Sequence, residues 1–191
     1  MKKFYLFLFA SVMLVSCNNG KNVAPFEIGD TQDSVISTIA NDFTVCGKRI
    51  TKDELRNEIH FDRDGSKWMT LYECVYKGQE YYKVRVYFRY KKVCRMELKI
   101  ERNKMKNLHK RLKSKYGDAH RTSLPRGLAG LLPMWEISTV YIGDIDGVIV
   151  TEDDQDVVRT RPDGTTTEEH VDTYELIIVS GEQYYELKRF I

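Results

Sequence analysis

The feature that most constrains this chain is a two-residue alternation of apolar side chains near its middle. Every second residue is apolar or aromatic at 82–90 and again at 94–100. Because successive side chains of a β-strand point to opposite faces, these runs predict strands with one buried and one solvated face. We therefore predict strands at 67–76, 80–90 and 92–101, with basic and aromatic side chains on the face opposite the core.

Helical periodicity precedes and follows these three strands. A first helix is expected within 26–42, capped by Asp30, and a second from a cap at Asn103 to a stop at Gly117. Residues 51–61 fit either a helix or a strand. The second helix carries its apolar residues on one stripe, namely Met105, Leu108, Leu112 and Tyr116.

The part of the chain from 103 to 191 repeats this order of elements, a helix followed by about three strands. The turn at 161–164 is expected at the tip of a long polar hairpin or loop, and Ser180 with Gln183 predicts a capping box for a short last helix. The pattern thus predicts an α+β fold with a duplicated helix-plus-antiparallel-sheet unit, the two copies at 26–102 and 103–191. Its later strands are predicted at 134–142, 148–151 and 173–180.

The start of the chain predicts export. Two lysines precede an apolar run at 4–16, which is shorter than the roughly 20 residues of a membrane-spanning helix, so residues 1–16 are expected to be a cleaved signal peptide. Residues 14–17, Leu-Val-Ser-Cys, resemble the lipobox of bacterial lipoproteins. That resemblance implies lipid on Cys17, a tether at 17–25 and a membrane anchor. The alternative is an ordinary secretory signal with an incidental cysteine.

The compartment expected for such a protein is the cell envelope. No acidic run follows Cys17, which favours the periplasmic side. The other cysteines, Cys46, Cys74 and Cys94, are expected to be buried thiols, because the last two would lie two strands apart and too distant for a bridge.

A second resemblance concerns the helix boundaries. Residues 28–35 resemble the glycine-threonine-x-x-x-valine helix entry of the SmpA/OmlA outer-membrane lipoproteins and the related tandem β-lactamase-inhibitor-like fold. Residues 112–117, ending in Tyr116-Gly117, are similar to the helix exit of such repeats. The proline that often follows is absent at Asp118-Ala119, and the second unit lacks the glycine-threonine entry. The resemblance implies a non-enzymatic scaffold or inhibitor-like role, with no catalytic residue to carry over.

Catalytic and cofactor motifs are missing from the sequence. The four histidines lack metal-ligand spacing, and neither a nucleophile elbow nor a glycine-rich phosphate loop is present. We therefore expect no enzyme activity, no cofactor and no metal site. The net charge of +2 gives no reason to expect a nucleic-acid partner.

Two segments are candidate partner-binding surfaces. The basic stretch 102–115 has no acidic residue, so Lys106, Lys110 and Lys113 on its solvent side are expected to meet an anionic lipid or glycan. The alternative is a solvated face paired with the acidic third of the same molecule. In the second segment, a loop rich in leucine and glycine, Leu128 and Leu131 either contact an envelope protein partner or cover one end of the sheet.

Together these features favour a membrane-anchored envelope lipoprotein that acts as a non-catalytic binding or scaffold module. The alternative is a hydrolase acting on envelope material, with its site between the two units. Converging titratable groups in a deep cleft would favour that alternative.

Overall fold

A single antiparallel sheet organises the part of the chain that this computed structural model describes, residues 24–63, 65–105, 107–126, 134–160 and 164–191. Its nine strands are β1 Phe43–Val45, β2 His60–Phe61, β3 Lys67–Tyr76, β4 Gln79–Arg89, β5 Lys92–Glu101, β6 His120–Arg126, β7 Met134–Ile142, β8 Asp146–Thr160 and β9 Thr166–Ser180. The helices are α1 Gln32–Asp42, α2 Lys52–Asn57, α3 Leu108–Tyr116 and α4 Gly181–Leu187, with 3-10 turns at Arg102–Lys104 and Lys188–Phe190.

The strand order corrects the predicted fold class. The strands lie in the order β1-β3-β4-β5-β9-β8-β7-β6, with β2 beside β3. Strand β5 pairs with β9 from Arg95 opposite Val179 to Glu101 opposite Thr173. The prediction of a duplicated α+β unit is therefore wrong, because one continuous sheet contains strands from both halves of the sequence. The physical reason is that the free edge of β5 gains a hydrogen-bonded neighbour in β9 along residues 95–101, which two separate sheets would not supply.

One apolar core lies between the sheet and helices α1 to α3. Most of its members come from α1, α3 and the central strands of both halves of the sequence, and they form one connected cluster. The predicted stripe of α1 is confirmed, since Val35, Ile36 and Ile39 are buried. The predicted stripe of the second helix is confirmed at Leu108 and Leu112, whereas Met105 is buried but precedes α3 and Tyr116 is only partly buried. The side of the sheet that faces them is called the inner face below.

The opposite, outer face is covered at one end by α4. Its buried Tyr184 and Leu187 pack with Leu124, Val140 and Val179 in a second, smaller cluster. Ser180 precedes the helix, but its hydroxyl donates to the Cys94 carbonyl at 2.8 Å instead of making the predicted capping box. The part of the outer face that α4 leaves open carries charged side chains, among them Lys83, Glu97 and Glu175.

The long hairpin of β8 and β9 extends beyond the sheet. Pairing between these strands runs from Asp146 opposite Ser180 to Thr160 opposite Thr166. On its other side, β9 pairs with β5 only from Thr173 to Val179, so residues 166–172 have no partner in β5. Among the described strands, residues 154–160 and 166–172 consequently pair only with each other, and we call them the hairpin arm.

Candidate functional site

The helix that carries the predicted basic surface, α3, is shorter than predicted. The chain makes a 3-10 turn at Arg102–Lys104, and α3 begins at Leu108 after Asn107, whose left-handed backbone has φ 61°. The predicted cap at Asn103 is therefore wrong. Buried Leu108 and Leu112 hold one side of α3 against the core, which leaves Lys110 and Lys113 exposed on the other.

The structure divides the basic segment into paired and unpaired cations. Arg102 lies 3.3 Å from Glu152 and 3.7 Å from Asp172, and Lys104 contacts the carboxylates of Glu80 and Glu101. The alternative of pairing with the acidic third of the molecule thus holds for Arg102, whereas Lys104 pairs with carboxylates of β4 and β5.

Farther along α3 the pairing changes. Lys113 reaches Asp118 at 2.6 Å, a pair that raises the pKa of Lys113 and lowers that of Asp118. Lys115 lies over the Tyr116 ring at 5.0 Å. Lys110 makes no ion pair within the described residues. The exposed side of α3 therefore keeps cations that the molecule itself neutralises incompletely.

The amino-terminal end of the described chain lies beside this helix. Ala24 and Phe26 pack on the core, and they line a small cavity together with Lys115, Tyr116 and Asp146. The Tyr116 hydroxyl donates to the Asp146 carboxylate at 2.9 Å. The pKa of Tyr116 is raised, mainly by burial and secondly by the negative charge of Asp146. The chain thus enters the fold next to the carboxyl end of α3.

Four predicted site residues lie outside the described part of the chain. These are Cys17, Lys106, Leu128 and Leu131. Of the remaining cysteines, Cys46 is exposed, Cys94 is partly buried and Cys74 is buried. The expectation of buried thiols is therefore correct only for Cys74. Burial raises the pKa of its thiol to about 12, so it carries no reactive thiolate at neutral pH.

A charged cluster around Glu97 dominates the open part of the outer face. Its carboxylate accepts from Arg95 at 2.8 Å and Tyr87 at 2.9 Å, and lies 3.3 Å from Lys83 and 3.7 Å from Arg85. Only 9% of the Glu97 side chain is exposed. The register of β4 and β5 explains this cluster: Arg85 lies opposite Glu97 and Tyr87 lies opposite Arg95, and all four side chains are on the outer face.

The electrostatics of Glu97 indicate a structural role. Burial would raise the pKa of this carboxyl, but Arg95 and Lys83 outweigh burial and hold the pKa below its ordinary value. A general acid at neutral pH needs the opposite shift. The sequence predicted a basic outer face, yet Glu97 was missed as a candidate because one acidic residue in a strand gives no periodic signal.

A groove of about 480 Å³ lies between α4 and the hairpin of β4 and β5. Three candidate nucleophiles line it, namely Ser66, Cys94 and Ser180. Of the last two, the Ser180 hydroxyl donates to a backbone carbonyl and the Cys94 thiol lies 3.5 Å from the Tyr87 carbonyl. Both are thus engaged by backbone oxygens, an arrangement that differs from a nucleophile hydrogen-bonded to a side-chain base. The rim carries both signs of charge: Asp62, Glu182 and Glu186 against Arg89 and Arg95.

Three of the four histidines have separate side-chain contacts. His60 stacks on Trp68, His109 contacts the Tyr141 hydroxyl at 2.7 Å, and His170 lies between Asp156 and Asp154. Within the described ranges, no three His, Cys, Asp or Glu residues are grouped to hold a metal ion. No helix in those ranges is both long and apolar enough to cross a membrane.

Comparison with known proteins gives no relative for this chain: no family model, curated protein or solved structure matches it.

Proposed function

We propose that this chain is a lipid-anchored protein of the cell envelope that acts by binding, with the exposed side of α3 directed toward an anionic surface. The observation that carries this proposal is the position of Ala24 beside Lys115 and Tyr116 at the end of α3. Ala24, within the expected tether, therefore lies beside the carboxyl end of the basic helix.

The length of the tether limits how far α3 can lie from the bilayer. Ala24 is the seventh residue after Cys17, and at about 3.3 Å per residue this distance is at most about 23 Å. A lysine near an anionic membrane contributes about 1 kcal/mol. Two or three such side chains add useful affinity to a lipid anchor, and they set the orientation of the domain.

The anchor is tested by changing Cys17 to Ala. We expect the variant to lose incorporation of a fatty-acid analogue and to leave the membrane fraction, because Cys17 is the only thiol next to the predicted cleavage position. Metabolic labelling followed by fractionation of cells measures both effects. Label retained by the variant would contradict the proposal.

The basic surface is tested with Lys106, Lys110 and Lys113 changed together to Gln. We expect weaker binding of the mature, unlipidated chain to phosphatidylglycerol vesicles, with no binding to phosphatidylcholine vesicles. The interaction should also weaken with salt, since the Debye length falls from about 10 Å at 0.1 M to about 3 Å at 1 M. Vesicle sedimentation measures both.

The matched control for this test is Lys48, Lys52 and Lys91 changed to Gln. These residues are exposed, and the triple change removes the same charge at other places on the surface. Equal losses in the two triple variants would refute a specific role for α3. Binding to a soluble acidic glycan in preference to vesicles would identify the anionic surface as glycan. The hydrolase alternative stays a prediction.

A further inference from the structure

Strands β4 and β5 separate near one end of the sheet. Their pairing ends at Lys83 opposite Lys99. Strand β4 nevertheless continues beside β3 as far as Gln79, and β5 continues beside β9 as far as Glu101. A groove of about 260 Å³ lies at this separation.

The groove combines apolar walls with an acidic rim. Val75 and Tyr81 line one side, and Val157 and Val158 of the hairpin arm line the other. Val158 is 64% exposed, so most of its apolar surface is open to solvent. The acidic groups of the rim are Glu73, Glu80 and Glu101.

A lysine of the chain itself already occupies the acidic rim. The Lys104 ammonium contacts the Glu80 carboxylate and lies 3.6 Å from Glu101, whose carboxylate also accepts from the Tyr82 hydroxyl at 3.0 Å. Lys104 shows that these carboxylates can bind an ammonium group. Three carboxylates against one lysine leave the groove with an excess of negative charge, so further cationic groups are attracted to it.

The backbone at this position suits an extended ligand. Before Lys83, the edge of β4 that faces away from β3 has no paired strand among the described residues. The edge of β9 before Thr173 pairs with no strand on that side either, but the 3-10 turn Arg102–Lys104 lies against β9 there. The edge open to a ligand is therefore that of β4. Exposed strand edges bind extended peptides through main-chain hydrogen bonds, and alternate side chains then enter the adjoining pockets.

We propose that this groove binds an extended segment of a partner protein in which lysine or arginine alternates with apolar residues. Its cations would meet Glu73 and Glu80, and its apolar side chains would contact Tyr81, Val157 and Val158. This proposal depends on the groove alone and does not require the lipid anchor or the basic surface of α3.

The test uses the detergent-solubilised full chain and the probe peptide acetyl-Val-Lys-Val-Lys-Val-amide. Calorimetry gives the affinity, and methyl NMR signals of Val157 and Val158 report the location. We expect binding of this peptide, no binding of the Val-Glu-Val-Glu-Val counterpart, and much weaker binding of 1,5-diaminopentane. If 1,5-diaminopentane binds as tightly as the peptide, the groove recognises an ammonium group alone, and the proposal of an extended peptide ligand is wrong.

Two substitutions should change the affinity in opposite directions. Glu80→Gln removes a rim carboxylate and should weaken peptide binding about tenfold, a typical loss for a charge-assisted hydrogen bond. Lys104→Gln removes the internal competitor and should strengthen binding severalfold. Glu73→Gln, at an exposed position of the rim, gives a second weakening variant if Glu80→Gln disturbs folding.

Matched controls separate a specific site from general charge effects. Glu58→Gln and Lys52→Gln make the same charge changes at exposed positions that do not line the groove. We expect both to bind the peptide as the unchanged protein does. If the controls shift the affinity as much as Glu80→Gln and Lys104→Gln do, or if no peptide binds, the proposal is wrong.

Discussion

The inner face of the sheet buries Val84 and Leu98, whereas the neighbouring positions Lys83 and Glu97 carry a charged cluster on the outer face. The same strands therefore take part in two kinds of stabilisation. On the inner face, apolar area is removed from water and needs no specific partner. On the outer face, each charge depends on the placement of its neighbours, because an unpaired buried charge is costly. The two faces should consequently respond differently to substitution and to pH.

The largest expected effect is on the inner face, where Leu98→Ala should lower the free energy of unfolding by about 3 kcal/mol or more. Leu98 has 0% exposure at the centre of the sheet, so its truncation leaves a cavity that neighbouring strands cannot fill. Urea unfolding measures the change. Lys92→Ala, on the same strand but exposed, is the control and should change stability by less than about 0.5 kcal/mol. Similar losses of unfolding free energy in Leu98→Ala and Lys92→Ala would show that burial on the inner face does not determine the effect.

On the outer face, Glu97→Gln should destabilise the protein by about 2 kcal/mol. This is less than the roughly 3 to 5 kcal/mol of a fully buried pair, because Lys83 and Arg85 keep some contact with water. The substitution keeps the shape of the side chain but leaves three cations without their shared carboxylate. The same urea experiment measures this loss. An unchanged midpoint of the urea transition would show that the charged cluster makes no net contribution to the free energy of unfolding.

The pH dependence should come from the outer face. Since the pKa of Glu97 is lowered by folding, its stabilisation is fully present above the ordinary glutamate pKa and is lost as pH falls through the lower folded value. Stability of the unchanged protein should thus fall below about pH 4.5. This acid loss should be shallower in Glu97→Gln and unaltered in Leu98→Ala. Parallel pH profiles for all three proteins would contradict this account.

The smallest effect concerns the hairpin arm, where ionic contacts are exposed. Hydrogen bonds to Asp156 and then Asp154 raise the pKa of His170 above its ordinary value. Asp156→Asn should return this pKa toward the ordinary value with little change in stability, because water screens the pair. NMR titration of the imidazole measures it. A large loss of stability in this variant would show that the arm behaves like the Glu97 cluster.

The inner face was largely predictable from the sequence because its signals are local. Strands β3 and β5 have the predicted bounds, and β4 differs from its prediction by one residue at each end. Helix α1 was predicted correctly, but Thr31 caps it through Ser34, whereas Asp30 accepts from the backbone N–H of Glu27. Both side chains are short hydrogen-bond acceptors, so the sequence alone does not choose between adjacent caps.

The parts that were not predicted depend on distant contacts. Nothing in β5 or β9 alone indicates that they pair, so the single sheet was interpreted as two units. The hairpin arm has polar residues on both faces and therefore lacks the alternation that marks a strand. The basic stretch was recognised and its pairing with the acidic third was left open as an alternative, but which cation reaches which carboxylate, as Arg102 reaches Glu152, depends on tertiary structure. For the same reason the groove between β4 and β5 has no sequence signature.

The pairing of β5 with β9 also has a consequence for the kinetics of folding. The two strands are separated by about 80 residues, and contacts at such distances form slowly because a long loop must close first. At roughly 5 to 20 residues per second, a ribosome makes β9 several seconds after β5. During that interval the edge of β5 has no neighbour, although its side chains include Met96, Leu98 and Ile100. The newly made chain therefore passes through an aggregation-prone stage that ends only when its last strand arrives.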